Sequence, residues 1–240
     1  VWGEFPHWGL DHSHPLATEI VLNQWSEAVE RDCNHPAIIG WCPFNETWGY
    51  HEEKEQNALL SSLYKLTKRL DPTRPCIDAS GNFRVLSEVY DIHDYDQNTE
   101  TFRQRWDSFT EKIRENGGSI PQDDAFFQDL PWGEHGKGPF FQQPYQGQPI
   151  FLSEYGGIRW VENTVEGWGY GNAPTTAEEF FARYKGLTEA LLQNPEIFGF
   201  CYTQLYDIEQ EINGLYTYDR KEKFPISIIR EINQQKAACE

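Results

Sequence analysis

Two short runs of this chain follow one plan, and that plan limits what the chain can fold into. Ala37-Ile38-Ile39-Gly40-Trp41-Cys42 is apolar, lies between turn formers, and leads to Asn45 and Glu46, set between Phe44 and Trp48. Pro149-Ile150-Phe151-Leu152-Ser153-Glu154-Tyr155-Gly156-Gly157 repeats the design with four apolar residues, a carboxylate, an aromatic and two glycines. Runs without polar alternation read as strands buried on both faces. In parallel sheets and barrels, chemistry is done at the carboxyl ends of such strands. Aromatic walls desolvate a carboxyl and raise its pKa, as a general acid requires. A solvated loop glutamate is the plain alternative for either run alone. Together, two buried strands that each end in a glutamate suggest facing carboxyls, the equipment of a glycosidase.

The rest of the chain alternates between the same two kinds of segment. Val1-Trp2-Gly3-Glu4 reads as the tail of a strand, and Ala17 to Asp32 as an amphipathic helix with Ile20, Val21, Trp25 and Val29 on its apolar face. Glu52 to Asp71 is a helix whose apolar stripe is Leu59, Leu60, Leu63, Leu66 and Leu70, stopped by the prolines after Asp71. Cys76 to Ser80 and Val89 to Tyr95 read as strands. Ala177 to Gln193 is a helix capped by Thr175 or Thr176, Ile197 to Tyr202 a strand, and Ile226 to Gln235 a closing helix. Residues 97–148 read as a long insertion, with helix formers from Thr101 to Asn116. Its Phe126-Phe127, Trp132, Phe140-Phe141 and Tyr145 suit an active-site wall better than a disordered linker.

Asn34-His35-Pro36-Ala37-Ile38-Ile39-Gly40-Trp41 with Asn45-Glu46 closely resembles one signature of glycoside hydrolase family 2, and Ser153-Glu154-Tyr155-Gly156-Gly157 resembles the second. The resemblance implies a (β/α)8 TIM barrel cut short at its N-terminus, with strands 3 to 8 present in one catalytic domain over 1–240. It implies a retaining exo-glycosidase, with Glu46 as acid/base after strand 4 and Glu154 as nucleophile on strand 7. It places Asn45 on the sugar 2-hydroxyl and Glu4 near the sugar, although an ion pair with an arginine would equally explain Glu4. Trp48 and Arg159 join the substrate-binding candidates, as do His93 and Tyr95, where a tyrosine hydroxyl can donate to the nucleophilic carboxylate. A core histidine is the other reading of His93, and a surface ion pair that of Arg159. Gln204 stands where the family commonly has a tryptophan, so the sugar contact there departs from the pattern.

Charge and composition narrow the partners. A net charge of −18 argues against nucleic acid or an anionic membrane. No apolar run reaches the ~18 residues of a membrane span. The nine tryptophans and twelve tyrosines serve both a core and rings on which sugar faces stack. His7, His12 and His14 fit no usual zinc spacing, so neither metal nor cofactor is expected. Of the five scattered cysteines, Cys42, Cys76 and Cys201 lie in apolar runs and read as buried free thiols, which leaves the compartment open. Six parallel strands would leave exposed edges. N-terminal barrel strands and β-sandwich domains of the same polypeptide are therefore expected as partners, with little activity from 1–240 alone. The alternative function is a catalytically inactive carbohydrate-binding fragment of a larger glycosidase.

Overall fold

The computed structural model describes residues 1–6, 10–11, 14, 16–46, 53–81, 84–118, 143, 145–160 and 166–240, with only the backbone of 53–55. Strands and helices alternate along it: β1 (Trp2–Glu4), α1 (Ala17–Asp32), β2 (Gly40–Cys42), α2 (Glu53–Leu70), β3 (Tyr90–Asp94), α3 (Thr99–Glu115), β4 (Ile150–Gly156), α4 (Ala177–Leu192), β5 (Ile197–Thr203) and α5 (Ile226–Asn233). This βα repeat is that of a TIM barrel. The chain divides into two compact units, Val1–Ile92 with Asp123–Pro149, and His93–Gln122 with Ile150–Glu240.

In the first unit β1 and β2 pair in parallel, with Trp2 opposite Gly40 and Gly3 opposite Trp41. A Cβ on Gly40 would lie 2.0 Å from the Trp2 ring, so the glycine is what lets that indole cross the neighbouring strand. The core beside these strands joins Val21, Trp25 and Val29 of α1 to Leu59, Leu60 and Leu63 of α2. Trp25 meets Trp41 edge-on with centroids 5.7 Å apart. Both of these indole N–H groups donate, Trp25 to Thr67 Oγ1 at 2.7 Å and Trp41 to Asp71 Oδ2 at 2.9 Å. Arg74 ties the turn before β2 in place, donating to the carbonyls of Ile38, Cys33 and His35 and to Asp71.

That clamp explains where β2 differs from the apolar run Ala37–Cys42. The residues before Gly40 form a turn held by Arg74, and Ile39 is left 60% exposed. On α1 the buried stripe runs Ala17, Val21, Trp25, Val29, and Ile20 falls beside it, exposed. The expected strand at Cys76–Ser80 is reduced to single bridges, Cys76 to Trp41 and Ile77 to Ser87.

The second unit carries the three-stranded order β3–β4–β5, into which β3 brings His93 and Asp94. β4 and β5 run parallel, from Ile150 opposite Ile197 to Gly156 opposite Thr203. The stretch read as an insertion opens with a regular helix, α3, capped by the Asn98 side chain on the N–H groups of Glu100 and Thr101. It buries Phe102, Trp106, Phe109 and Ile113, while α4, capped by Thr176, buries Phe180, Tyr184, Leu187 and Leu191. Asp94, fully inside, takes Arg105 Nη1 at 2.8 Å and Trp106 Nε1 at 3.0 Å. Of the aromatic wall, Tyr145 packs edge-on to Tyr90 in the first unit, and Phe126-Phe127, Trp132 and Phe140-Phe141 lie outside the described residues.

Burial alone would raise the Asp71 carboxyl, but bonds from Thr73, Trp41 and Arg74 outweigh it and hold its pKa well below the usual range. Asp71 therefore adds stability above its unfolded pKa, lost as pH falls through the lower folded value. Asp71→Asn is expected to cost roughly 1–3 kcal/mol at neutral pH. It should also flatten the fall in the thermal midpoint between about pH 5 and pH 1.

Candidate active site

Within the first unit, the candidate groups sit where strands give out. Glu4 closes β1, and Asn45 and Glu46 follow β2 after two residues. Asn45 is fixed at both ends, its N–H on the Phe5 carbonyl at 3.2 Å and its Nδ2 on Glu4 Oε1 at 2.7 Å. The Glu4–Asn45 bond shows that the pair acts as one polar cluster, with the Glu4 carboxylate as acceptor. Glu46 holds φ at 39°, a left-handed backbone that a non-glycine residue seldom adopts. Its N–H donates to Ser80 Oγ at 3.2 Å, and Ser80 N–H in turn to the Phe44 carbonyl at 2.9 Å. Strain of this kind persists where surrounding bonds over-determine it, and it gathers at active sites.

Asp78 anchors the segment bearing Ser80. Its buried carboxylate accepts the N–H groups of Ala79, Val85 and Leu86 at 2.7–2.8 Å. Burial nonetheless pushes its pKa up to about 7.

Within the second unit, Glu154 lies on β4 and is only partly buried. Tyr95 Oη donates to Glu154 Oε2, and His93 Nδ1 lies 3.3 Å from the same oxygen. Tyr95 Oη is also 3.3 Å from Thr203 Oγ1, at the end of β5. Burial first, and then the charge of Glu154, push the Tyr95 pKa well above that of an ordinary phenol. The hydroxyl therefore keeps its proton and remains a donor to the carboxylate. Gln97 Nε2 donates to the carbonyls of Tyr95 and Gly156, which joins the strand ends carrying the two partners.

The two glycines after Glu154 have a steric purpose. Gly157 has φ +58°, and a Cβ there would come 2.4 Å from the Tyr170 ring and 3.1 Å from that of Tyr95. Without it Tyr170 could not lie parallel on Tyr95, with centroids 3.4 Å apart and planes 5° from parallel.

The structure thus brings together Glu4, Asn45 and Glu46 in one unit, and His93, Tyr95 and Glu154 in the other. Gln204 is steadied by its Nε2, which donates to Asn213 Oδ1 at 3.0 Å. Arg159 is half-buried just after β4. Trp48, His7 and His12 lie outside the described residues, and His14 uses Nδ1 to accept the Leu16 N–H at 3.2 Å. Sequence reasoning did not single out Ser80, Thr203 or Tyr170. Ser80 and Thr203 each stand at the end of a strand-like run, so position alone could have nominated them. Tyr170 gives no comparable sign, because its partner lies far away in the chain.

Comparison with known proteins agrees with this architecture. The family description "Glycosyl hydrolases family 2, TIM barrel domain" matches residues 4–186. The chain is 36% identical over 85 residues, 35% of its length and 7% of the relative's, to a β-galactosidase of Kluyveromyces lactis. Among solved structures, a β-glucuronidase of an uncultured Clostridium sp. superposes with TM-score 0.62 at 15% identity, over 95% of this chain and 38% of that one. A β-galacturonidase of Eisenbergiella tayi bound to galacturonate gives TM-score 0.63 at 17% identity, over 92% of this chain and 37% of that one. The chain thus spans well under half the length of these relatives. With a match across most of its residues, it belongs to glycosyl hydrolase family 2, within the TIM barrel domain.

Proposed function

We propose that this chain carries the catalytic carboxylates of a retaining exo-β-glycosidase. Glu154 is the nucleophile, and Glu46 is the acid that protonates the leaving oxygen and then the base that activates water. The observation supporting this most directly is Tyr95 donating to a half-buried Glu154. A nucleophilic carboxylate must be ionised and aimed, and a phenol that keeps its proton does both. For direct attack the two carboxyl groups belong ~5–5.5 Å apart, with no room for water between them.

Around that pair, Asn45 takes the sugar 2-hydroxyl and Glu4 a neighbouring hydroxyl. Trp48, His93, Arg159 and Gln204 complete the contacts. The relatives' names, β-galactosidase, β-glucuronidase and β-galacturonidase, support a terminal β-linked hexoside or hexuronide as substrate. Barrel strands 1 and 2 and β-sandwich domains of the same polypeptide complete the enzyme in this reading. Among the described residues, no helix is long and apolar enough to cross a membrane.

In the complete polypeptide, Glu154→Ala is expected to abolish turnover of every nitrophenyl glycoside in a panel. Glu46→Ala should lose ~10²–10⁴-fold on substrates with poor leaving groups and far less on nitrophenyl glycosides. Near-normal rates from Glu154→Ala would overturn the assignment. Steady-state kinetics on Tyr95→Phe give a separate check. Losing a hydrogen bond to a charged group costs about 1.5–3 kcal/mol, so kcat/KM should drop roughly tenfold to a hundredfold. Without that donor the ionised form of Glu154 is less favoured, and the acid limb of the pH profile should move to higher pH.

A further inference from the structure

Trp168 lies two residues before Tyr170, the ring stacked on Tyr95. It is 48% exposed, yet its backbone is fixed at both atoms, N–H to the Gln210 carbonyl at 2.7 Å and carbonyl to the Ile212 N–H at 2.9 Å. Two residues on, Tyr170 N–H donates to the Gly157 carbonyl at 2.9 Å. The segment is thus bonded on one side to the 208–212 turn and on the other to the end of β4. A large apolar ring thus stands half in water on a backbone that is bonded on both sides.

The ring also has an address. Trp168 stands edge-on to Tyr170 at 5.8 Å, Tyr170 lies flat on Tyr95, and Tyr95 donates to Glu154. A continuous file of three rings runs from the nucleophile to the surface, all within one unit.

We propose that Trp168 is the platform for the leaving group, selecting substrates whose departing part carries a ring with an apolar face, either a second sugar or an aryl group. This rests on the glycosidase reading of Glu154. An exo-acting enzyme encloses the terminal sugar and leaves the remainder at the mouth. A half-exposed indole two rings out from the nucleophile suits that remainder, whereas the enclosed sugar would need a buried partner. Ring faces stack on aromatic side chains regardless of their substituents, so the platform reads ring shape and not identity.

The test compares two substrates of one sugar on the complete enzyme, a nitrophenyl glycoside and the glycosyl fluoride, whose leaving group has no ring. The ratio of their kcat/KM values is the readout. In Trp168→Ala that ratio should fall about tenfold to a hundredfold, the usual worth of one stacked ring. Trp168→Phe should restore most of it. Thermal unfolding of both variants near the parent midpoint shows that the fold is intact, and if Trp168→Ala is unstable, Trp168→Gln supplies the same comparison. A ratio within about twofold of the parent's overturns the platform while leaving the glycosidase reading standing. A parent enzyme that cleaves neither substrate overturns both.

Discussion

A carboxylate taken out of water has to be paired, and both units are organised around one that is. Leaving one partner of a buried hydrogen-bonded pair unsatisfied costs about 1–3 kcal/mol, because the group left behind has lost its water. In the first unit Asp71 takes the Trp41 indole and the Arg74 guanidinium. In the second Asp94 takes the Trp106 indole and the Arg105 guanidinium. The same three chemical groups recur at two places far apart in the chain. Each clamp joins a strand to a helix or its end, and each strand so held carries candidate catalytic groups. Trp41 lies on β2, which delivers Asn45 and Glu46, and Asp94 sits between His93 and Tyr95.

The clamps therefore link stability to geometry. A nucleophile and its donor have to be held to within fractions of an ångström, and rigid elements do this better than loops. The strand end bearing Tyr95 is locked from behind by Asp94 and from the side by Gln97. On the other unit Asp78 gathers three backbone N–H groups and so fixes the segment from which Ser80 reaches Glu46. An acidic chain thus uses several of its carboxylates internally, as acceptors that hold turns together.

Much of this was legible in the residues, and what was not has a physical cause. Helices are readable because apolar spacing near four residues survives any tertiary context, as along Val21, Trp25 and Val29. Ile20 reads as part of the same face because a single offset residue does not disturb the pattern. The apolar run at β2 is longer than the strand because hydrophobicity does not register Arg74, whose fork holds the preceding carbonyls from 36 to 41 positions away. Cys76-Ile77 has the composition of a strand and forms only single bridges. Glu46, Glu154, Asn45 and Glu4 were nominated by type and by their place at strand ends. Ser80, Tyr170 and the two aspartate clamps were not, since each depends on a partner distant in the chain.

The proton held by Tyr95 has one further implication. A phenol that is sealed in and faces an acidic group does not ionise within the range where enzymes are assayed. Under the proposed mechanism, an alkaline decline in turnover therefore belongs to side chains other than Tyr95.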